Sequence, residues 1–597
     1  MDYGLIGNCK SSALVHRSGS IDWCCLPNFN SPSTFARLLD PGGGHFSIEL
    51  DGGKTVSQAY LPSTNILVTR QENADSAIDI IDYMPRYMDS ETAYHRPPEI
   101  HRIIKPLRGM PHVRIQFVPR LNYAQGETHT TLRPSLITAS NGLESVFLYS
   151  NLALPEMMHD GAMPVKEDAY LLLTYHEKIQ PPTQSAMQQH FERTKAYWEH
   201  WVENCSVPKV ATEAVLRSAL ALKLMAFDET GAIIAAPTTS LPEIVGECRN
   251  WDYRYCWLRD APLVLESLKS IGHFTEAREF IRFLLRLFES KQSEVQIVYG
   301  IGGERDIEEY TLPHLAGYQN SIPVRVGNNA CLTHQNDVFG EMLNTLYLYY
   351  GHYGLEPLTD EVWSLTKFLV NSASKEWEKP DASIWEFRGL RAHFTFSKVL
   401  SWVALDRGVR LAELAGKSYA AERWGMIREK IREDIEANGW DPQKQAYTQA
   451  YGVSHMDASV LLMARYGFLK PTDERWRQTV ERCETELIKN GWVFRYTAAD
   501  DFGVPKTAFL LASFWMAKAF ATIGQKDKAY RLFEKILAAR NHVGLLSEDI
   551  DIETGELLGN FPQAYSHMAV INTAMLLDDQ KNNQVSPRNN GIKIPTL

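Results

Sequence analysis

The sequence predicts a two-domain β + α protein: an N-terminal β-sandwich joined by a linker helix to a C-terminal (α/α)6 barrel. Three observations carry this expectation. The hydrophobic period changes from two residues to the helical repeat near residue 209. Pro181-Pro182 and one helical run separate the two regimes. Beyond the switch, short connections alternate with long ones. At 597 residues the chain also exceeds the size of one compact core.

Residues 1–182 form the predicted sandwich. Val113, Ile115 and Phe117 alternate with Arg114 and Gln116, and Ile78 and Ile80 flank Asp79. Such period-two runs read as half-buried strands. Turn clusters, Asp40 to Gly44 and Asp51 to Gly53, separate them. Many short strands with turn-rich joints favour an all-β sandwich. A helix from about Thr183 to Cys205 supplies the linker, residues 183–208.

Residues 209–580 read as helical. Ile281, Leu284, Leu285 and Phe288 fall at i, i+3, i+4 and i+7, as do Ala529, Leu532, Phe533 and Ile536. About twelve helical segments begin near residues 209, 260, 274, 333, 360, 397, 418, 456, 473, 507, 526 and 564. Connections after even-numbered helices are mostly short, as at Gly272-His273, Gly416-Lys417 and Gly524-Gln525, whereas those after odd-numbered helices are long. Helices packed in alternating direction place all the long loops at one end. A closed ring of hairpins follows, with a site expected at the loop-rich mouth. Residues 581–597 read as a polar C-terminal tail.

Composition narrows the function. Apolar residues are 44% and charged residues 22% of the chain, a globular balance. A net charge of −11 argues against nucleic acid as a partner. No apolar run is long enough for a membrane span. The opening Met1 to Lys10 lacks a basic n-region and an apolar h-region. The eight cysteines show neither Cys-x-x-Cys nor zinc spacing. The expectation is therefore a cytoplasmic chain with reduced thiols, no metal and no cofactor. A homo-oligomer is compatible with all of this.

The long loops hold the unusual chemistry. Arg249 to Asp260 threads charged pairs with four rings; Gly303 to Glu309, Ser383 to Gly389 and Gly544 to Asp551 set carboxylates beside aromatics or glycine. Such loops at one mouth suit a pocket that stacks a flat, hydroxyl-rich ligand and performs acid/base work. Glycoside hydrolysis needs one protonated and one ionised carboxyl on opposite sides of the scissile bond. Glu386, between Trp385 and Phe387, fits the proton donor, its pKa raised by rings; Glu548, beside Ser547 and Asp549, fits the ionised base. Weighed against these roles are a Glu386–Arg388 salt bridge, a surface position for Glu548, Asp549 and Asp551 as competitors, Asp260 as a helix N-cap and Glu308-Glu309 as a solvated pair.

These residues resemble glycoside hydrolase family 15, the glucoamylase-like enzymes, and within it the prokaryotic branch of trehalases and glucoamylase-type α-glucosidases. The resemblance runs through Gly4-Leu-Ile-Gly-Asn8, Gly19-Ser-Ile-Asp-Trp23, Gly231 to Glu243, Asn250 to Ala261 and Gly559 to Ser566. It implies a β-sandwich with an (α/α)6 barrel and inverting, exo-acting hydrolysis of α-glucosides that releases β-glucose. It further implies Glu386 as general acid and Glu548 as general base. Arg259 and Asp260 would grip the terminal glucose, with Tyr253 and Trp257 as its ring wall. Trp385 and Arg388, flanking Glu386, complete the expected substrate contacts.

Two departures steer the substrate expectation. Trehalase-like members carry Gly-Glu-Gly-[Ala/Thr]-Phe where this chain has Val504-Pro-Lys-Thr-Ala-Phe509, and His where Phe396 stands. The expected substrate is therefore a short gluco-oligosaccharide, cleaved from its non-reducing end. An α,α-trehalase is the alternative; a phosphorylase-like enzyme or a sugar-binding protein ranks below. Glu386→Gln and Glu548→Gln are each expected to lower kcat about 10²–10⁴-fold with the fold intact. Near-normal turnover of either purified variant would remove that residue from its role.

Overall fold

A computed structural model describes residues 1–90, 93–289 and 295–582. The N-terminal part is mostly strand. Among the described residues one antiparallel sheet runs Tyr3–Gly7, Ser12–His16, Ile21–Cys25, His45–Leu50, His112–Val118 and Met163–Pro164, with Ser33–Phe35 paired on Ile21–Cys25. The second runs His129–Leu132, Ile137–Ser140, Ser145–Ser150, Ala169–Tyr175, Glu99–Arg108, Ala77–Tyr83, Leu67–Glu72 and Lys54–Tyr60. The alternation read from the sequence is realised: Val113 and Ile115 are fully buried, Arg114 and Gln116 are not. Phe46, Ile48, Ile78, Ile80 and Ile104 from both sheets share one core. A short helix α1 (Leu154–Met158) lies against His112–Val118.

Helix α2 (Gln184–Glu203) connects this part to the helical one. Thr183 caps it by accepting the Ala186 N–H at 3.2 Å. Its first half meets the strands, where the Tyr87 hydroxyl lies 2.7 Å from His190 Nδ1. Its second half meets the helices, where Trp201 stacks on His273 with ring centroids 3.8 Å apart.

The rest is helical: α3 (Thr212–Met225), α4 (Ala261–Ser270), α5 (Phe274–Leu287), α6 (Asp337–Leu346), α7 (Asp360–Glu376), α8 (Thr395–Leu414), α9 (Ser418–Asn438), α10 (Glu474–Leu487), α11 (Leu510–Thr522), α12 (Lys526–Ala538) and α13 (Ala564–Asn582). The segment expected near residue 456 is a single 3-10 turn, Ala458–Leu462, because the Asp457 carboxylate takes both the Ser459 N–H and its hydroxyl and holds the chain in a tight turn. Inner elements follow one another in space: α4 on α6, α6 on α8, α8 on the 3-10 turn, the turn on α11, α11 on α13, and α13 back on α4. The remaining helices lie outside them. Burial follows that division: α6 buries every residue, whereas α12 buries only the stripe Ala529, Leu532, Phe533 and Ile536. The predicted tail falls almost wholly outside the described residues. Among the described residues no helix is long and apolar enough to cross a membrane.

Where α2 meets the strands, His95 and His190 stack at 5.2 Å, and His101 lies 5.5 Å from His190. Burial, then the His101 and His95 charges, push His190 down from 6.5 to about 4. The unfolded chain binds this proton near 6.5 and the folded chain only near 4, so stability is lost as pH falls through that window. The melting temperature is expected to drop between pH 6.5 and 4, and less steeply in His190→Phe; calorimetry across that range checks it.

Candidate active site

The loop between α3 and α4 forms one wall. Residues 235–240 pair with 251–255: Ala236 N–H donates to the Tyr253 carbonyl at 3.0 Å, Ala235 N–H to that of Tyr255 at 3.1 Å, and Ser240 N–H to that of Trp251 at 2.8 Å. An extended ribbon turns alternate side chains to opposite sides. Trp251 and Tyr253 face a cavity, whereas Asp252 and Arg254 face the strand domain. Arg254, fully buried, pairs with Asp252, donates to the Ser31 carbonyl at 2.9 Å and to the Tyr123 hydroxyl at 2.9 Å. Cys256–Trp257 continues the wall by pairing with Val298–Tyr299.

The cavity holds about 380 Å³. Tyr253, Trp257, Arg259, Asp260, Trp385, Glu386, Arg388 and Glu548 all line it, with Glu243, Glu341, Arg495, Tyr496, Trp515 and Tyr565. Glu386 stands on the loop between α7 and α8. Its Oε1 accepts from Trp257 Nε1 at 2.9 Å and from the Arg259 guanidinium at 2.8 Å. Arg259 also donates to Gln335 at 3.0 Å and to the Tyr565 hydroxyl at 3.2 Å, and Tyr565 in turn bonds Asp260. Glu548 stands on the loop between α12 and α13, immediately before the short strand Asp549–Ile550, which pairs with Ala508–Phe509 and Leu557–Leu558. Its Oε1 accepts from the Tyr253 hydroxyl at 2.7 Å, and its buried Oε2 has no protein partner. Gly559, at φ +77°, passes so close that a Cβ would sit 2.9 Å from that of Glu548. The Tyr253 and Trp257 rings meet edge to face at 5.4 Å, one holding each carboxyl.

The electrostatics at Glu548 differ from the expected ionised environment. Glu548 is raised well above its ordinary value, by burial first and then by the Glu243 and Asp549 charges; Arg495 and the Tyr253 bond oppose this. Ring-lined burial acts on Glu548, while Glu386 turns Oε1 to an indole N–H and a guanidinium. Arg495 bridges the acids around Glu548: it pairs with Glu243 and lies 3.1 Å from Asp549. Asp549 is raised to about 7 by burial, against the pull of Arg495. Among the lining residues burial raises Asp260 to about 7 and Glu341 to about 8, and it raises Asp337, behind Arg259, to about 6.

Other readings are corrected by geometry. Arg388 pairs with Glu309 at 2.7 Å, not with Glu386, so Glu309 is buried rather than solvated. Burial raises Glu309's pKa, but Arg388 and Arg325 outweigh it and hold the carboxyl below its usual value. Asp260 stands at the N-cap position of α4 but makes no side-chain cap bond; its carboxyl goes to Tyr565. Asp551 accepts N–H groups within its own turn. The two departures lie off the cavity: Phe396 is buried in the first turn of α8 against Tyr466, and Lys506 is exposed and paired with Glu247 at 2.6 Å. Glu341 and Arg495 carry no spacing signal in the sequence that would have singled them out, and Glu243 and Tyr565, though inside motif runs of the resemblance, take no role from it; each reaches the cavity through the fold.

The model of the glycosyl hydrolases of family 15 matches residues 209–575, and that of the trehalase-like N-terminal domain matches residues 2–167. A trehalase of Mycolicibacterium smegmatis is 34% identical over 615 residues, covering 96% of this chain and 90% of the relative. A trehalase of Thermoplasma acidophilum is 34% identical over 592 residues, covering 96% of this chain and all of the relative. Among solved structures, a bacterial glucoamylase complexed with acarbose superposes with a TM-score of 0.70 at 12% identity, covering 96% of this chain and 94% of that one, and so shares the fold.

Arg495 is the cation bridging Glu243 and Asp549 beside Glu548. Arg495→Met leaves this cluster without it and is expected to cost about 3–5 kcal/mol of stability at neutral pH. The loss should shrink in acid, where the carboxyls take protons. Denaturant titration at neutral and acid pH measures both.

Proposed function

The chain belongs to the glycosyl hydrolases of family 15, and from that premise we propose that it is an inverting α,α-trehalase. The observation that carries this reading is full-length similarity to several trehalases, reaching across both the strand and the helical parts. It displaces the glucoamylase-type α-glucosidase expected from Phe396 and Lys506, neither of which lines the cavity. The cavity's size supports it. At about 380 Å³ it stands near the small end of the roughly 300–1,000 Å³ range of small-molecule sites, suited to a disaccharide.

In the proposed mechanism Glu386 is the general acid. Oε1 is taken by Trp257 and Arg259, so the acid's proton sits on Oε2 and passes to the glycosidic oxygen as the C–O bond breaks. Glu548 is the general base. Oε2, without a protein partner, accepts a proton from the water that attacks C1 from the opposite face. The products are one β-glucose and one α-glucose. Arg259 and Asp260 hold the terminal glucose, Tyr253 and Trp257 wall it, and Trp385 and Arg388 flank the acid. We also assign residues 1–182 to a β-sandwich, 183–208 to the linker and 209–580 to an (α/α)6 barrel, in keeping with the ring of inner helices. The cytoplasm is the proposed compartment.

Glucose release from trehalose, maltose and isomaltose, with anomers followed by NMR, tests the reading. Trehalose is expected to be the preferred substrate and to yield both anomers equally from the first time point; cleavage of maltose but not trehalose would restore the α-glucosidase. The acid limb of the pH profile provides a second test. A base must be ionised, so activity falls as pH drops through the raised pKa of Glu548. Glu243→Gln removes a charge that raises it and is expected to move the limb to lower pH. Tyr253→Phe removes a bond that lowers it and is expected to move the limb higher.

A further inference from the structure

Glu386 sits on backbone that does not hold itself. Its φ is +60° and that of Ser383 is +64°, two non-glycine residues in the left-handed region within one short loop. Such conformations persist only where the surroundings impose them. Within the loop, Glu386 N–H reaches the Ser383 carbonyl at 3.1 Å and Phe387 N–H the Ala382 carbonyl at 2.9 Å. The next two N–H groups leave the loop. Arg388 N–H donates to Asp501 Oδ2 at 2.6 Å and Gly389 N–H to Asp501 Oδ1 at 3.1 Å. At Gly389 a Cβ would lie 2.7 Å from Asp501 Oδ1, so a larger residue there would push that carboxyl aside.

Asp501 is itself held. Its neighbour Asp500 is gripped by two Arg249 nitrogens at 2.8 and 2.6 Å and by the Tyr496 hydroxyl at 2.6 Å. A second tie comes from another loop: Glu309 takes the Arg388 guanidinium at 2.7 and 3.2 Å while that group lies 4.4 Å above the Trp251 ring. We propose that Asp501, seconded by Glu309, is a positioning residue that fixes the general acid by clamping residues 388–389 from across the mouth. The proposal rests on Glu386 being the acid.

The test exploits leaving-group chemistry. Trehalose, or whichever α-glucoside the native chain cleaves, needs a proton on its departing oxygen; α-glucosyl fluoride departs as fluoride and does not. Misplacing the acid should therefore hurt only the first. Asp501→Ala in the full chain is expected to lower kcat on the glucoside about 10–100-fold and on the fluoride less than about threefold. Glu309→Gln, which keeps an acceptor but loses the charge, is expected to show the same selectivity at smaller amplitude, and it carries the test if Asp501→Ala fails to fold. Equal losses on both substrates, or no loss on either, would overturn the proposal. Glu386→Gln is the control for the reading beneath it. If that variant loses both substrates equally, the acid assignment has failed; if it spares only the fluoride and Asp501→Ala does not, the clamp alone has failed.

Discussion

The buried ion pair between Arg254 and Asp252 is the constraint on which the cavity depends. Both side chains are fully buried, and Arg254 spends its remaining donors on Ser31 and Tyr123 of the strand domain. Breaking such a pair leaves an uncompensated charge in a dry interior. The ribbon that carries it is therefore seated in one register. Because strand side chains alternate, seating Asp252 and Arg254 below turns Trp251 and Tyr253 toward the cavity. The strand domain thus acts on the chemistry without touching the cavity's carboxyls.

From that wall the two carboxyls are held by two adjacent rings. Tyr253 bonds Glu548, and Trp257 bonds Glu386. Neither can shift without disturbing the edge-to-face contact between the rings. The carboxyls then diverge in surroundings: Glu386 faces a guanidinium, whereas Glu548 lies buried among acids. An unpartnered buried oxygen such as Glu548 Oε2 is costly to keep, and Arg495 beside it supplies the opposing charge. The same cation pairs with Asp549 and Glu243, whose charges both act on Glu548 through space.

The helices supply rigidity and the loops supply function. Inner helices such as α6 and α11 are buried nearly all round and pack on both sides, so the loops between them start and end at fixed points. That scaffold can impose left-handed backbone at Ser383 and Glu386, which a free loop would relax. Asp457 and Asp501, from two other loops, each take an N–H from this one segment, and Asp381 takes another within it.

Much of this was legible in the chain. Hydrophobic period alone located the strands around Asp79 and Arg114, the linker helix and nearly every later helix, because burial on one face leaves a repeat that water enforces. Ring-and-charge clusters in long loops singled out Glu386, Glu548 and the run from Arg249 to Asp260, within which the family resemblance implied Tyr253, Trp257, Arg259 and Asp260. Local pattern could not decide which carboxyl would be buried, since that depends on Glu243, Asp549 and Arg495, which converge from three distant segments. Nor could it tell that Arg388 would choose Glu309 over its near neighbour Glu386, or that Phe396 and Lys506 would point away from the cavity. The sequence by itself determined which elements form and which loops carry reactive groups, because period and residue chemistry are local properties. Only the tertiary structure decided the partners and electrostatics of those groups, because charge and burial act through space between residues that the chain keeps hundreds of positions apart.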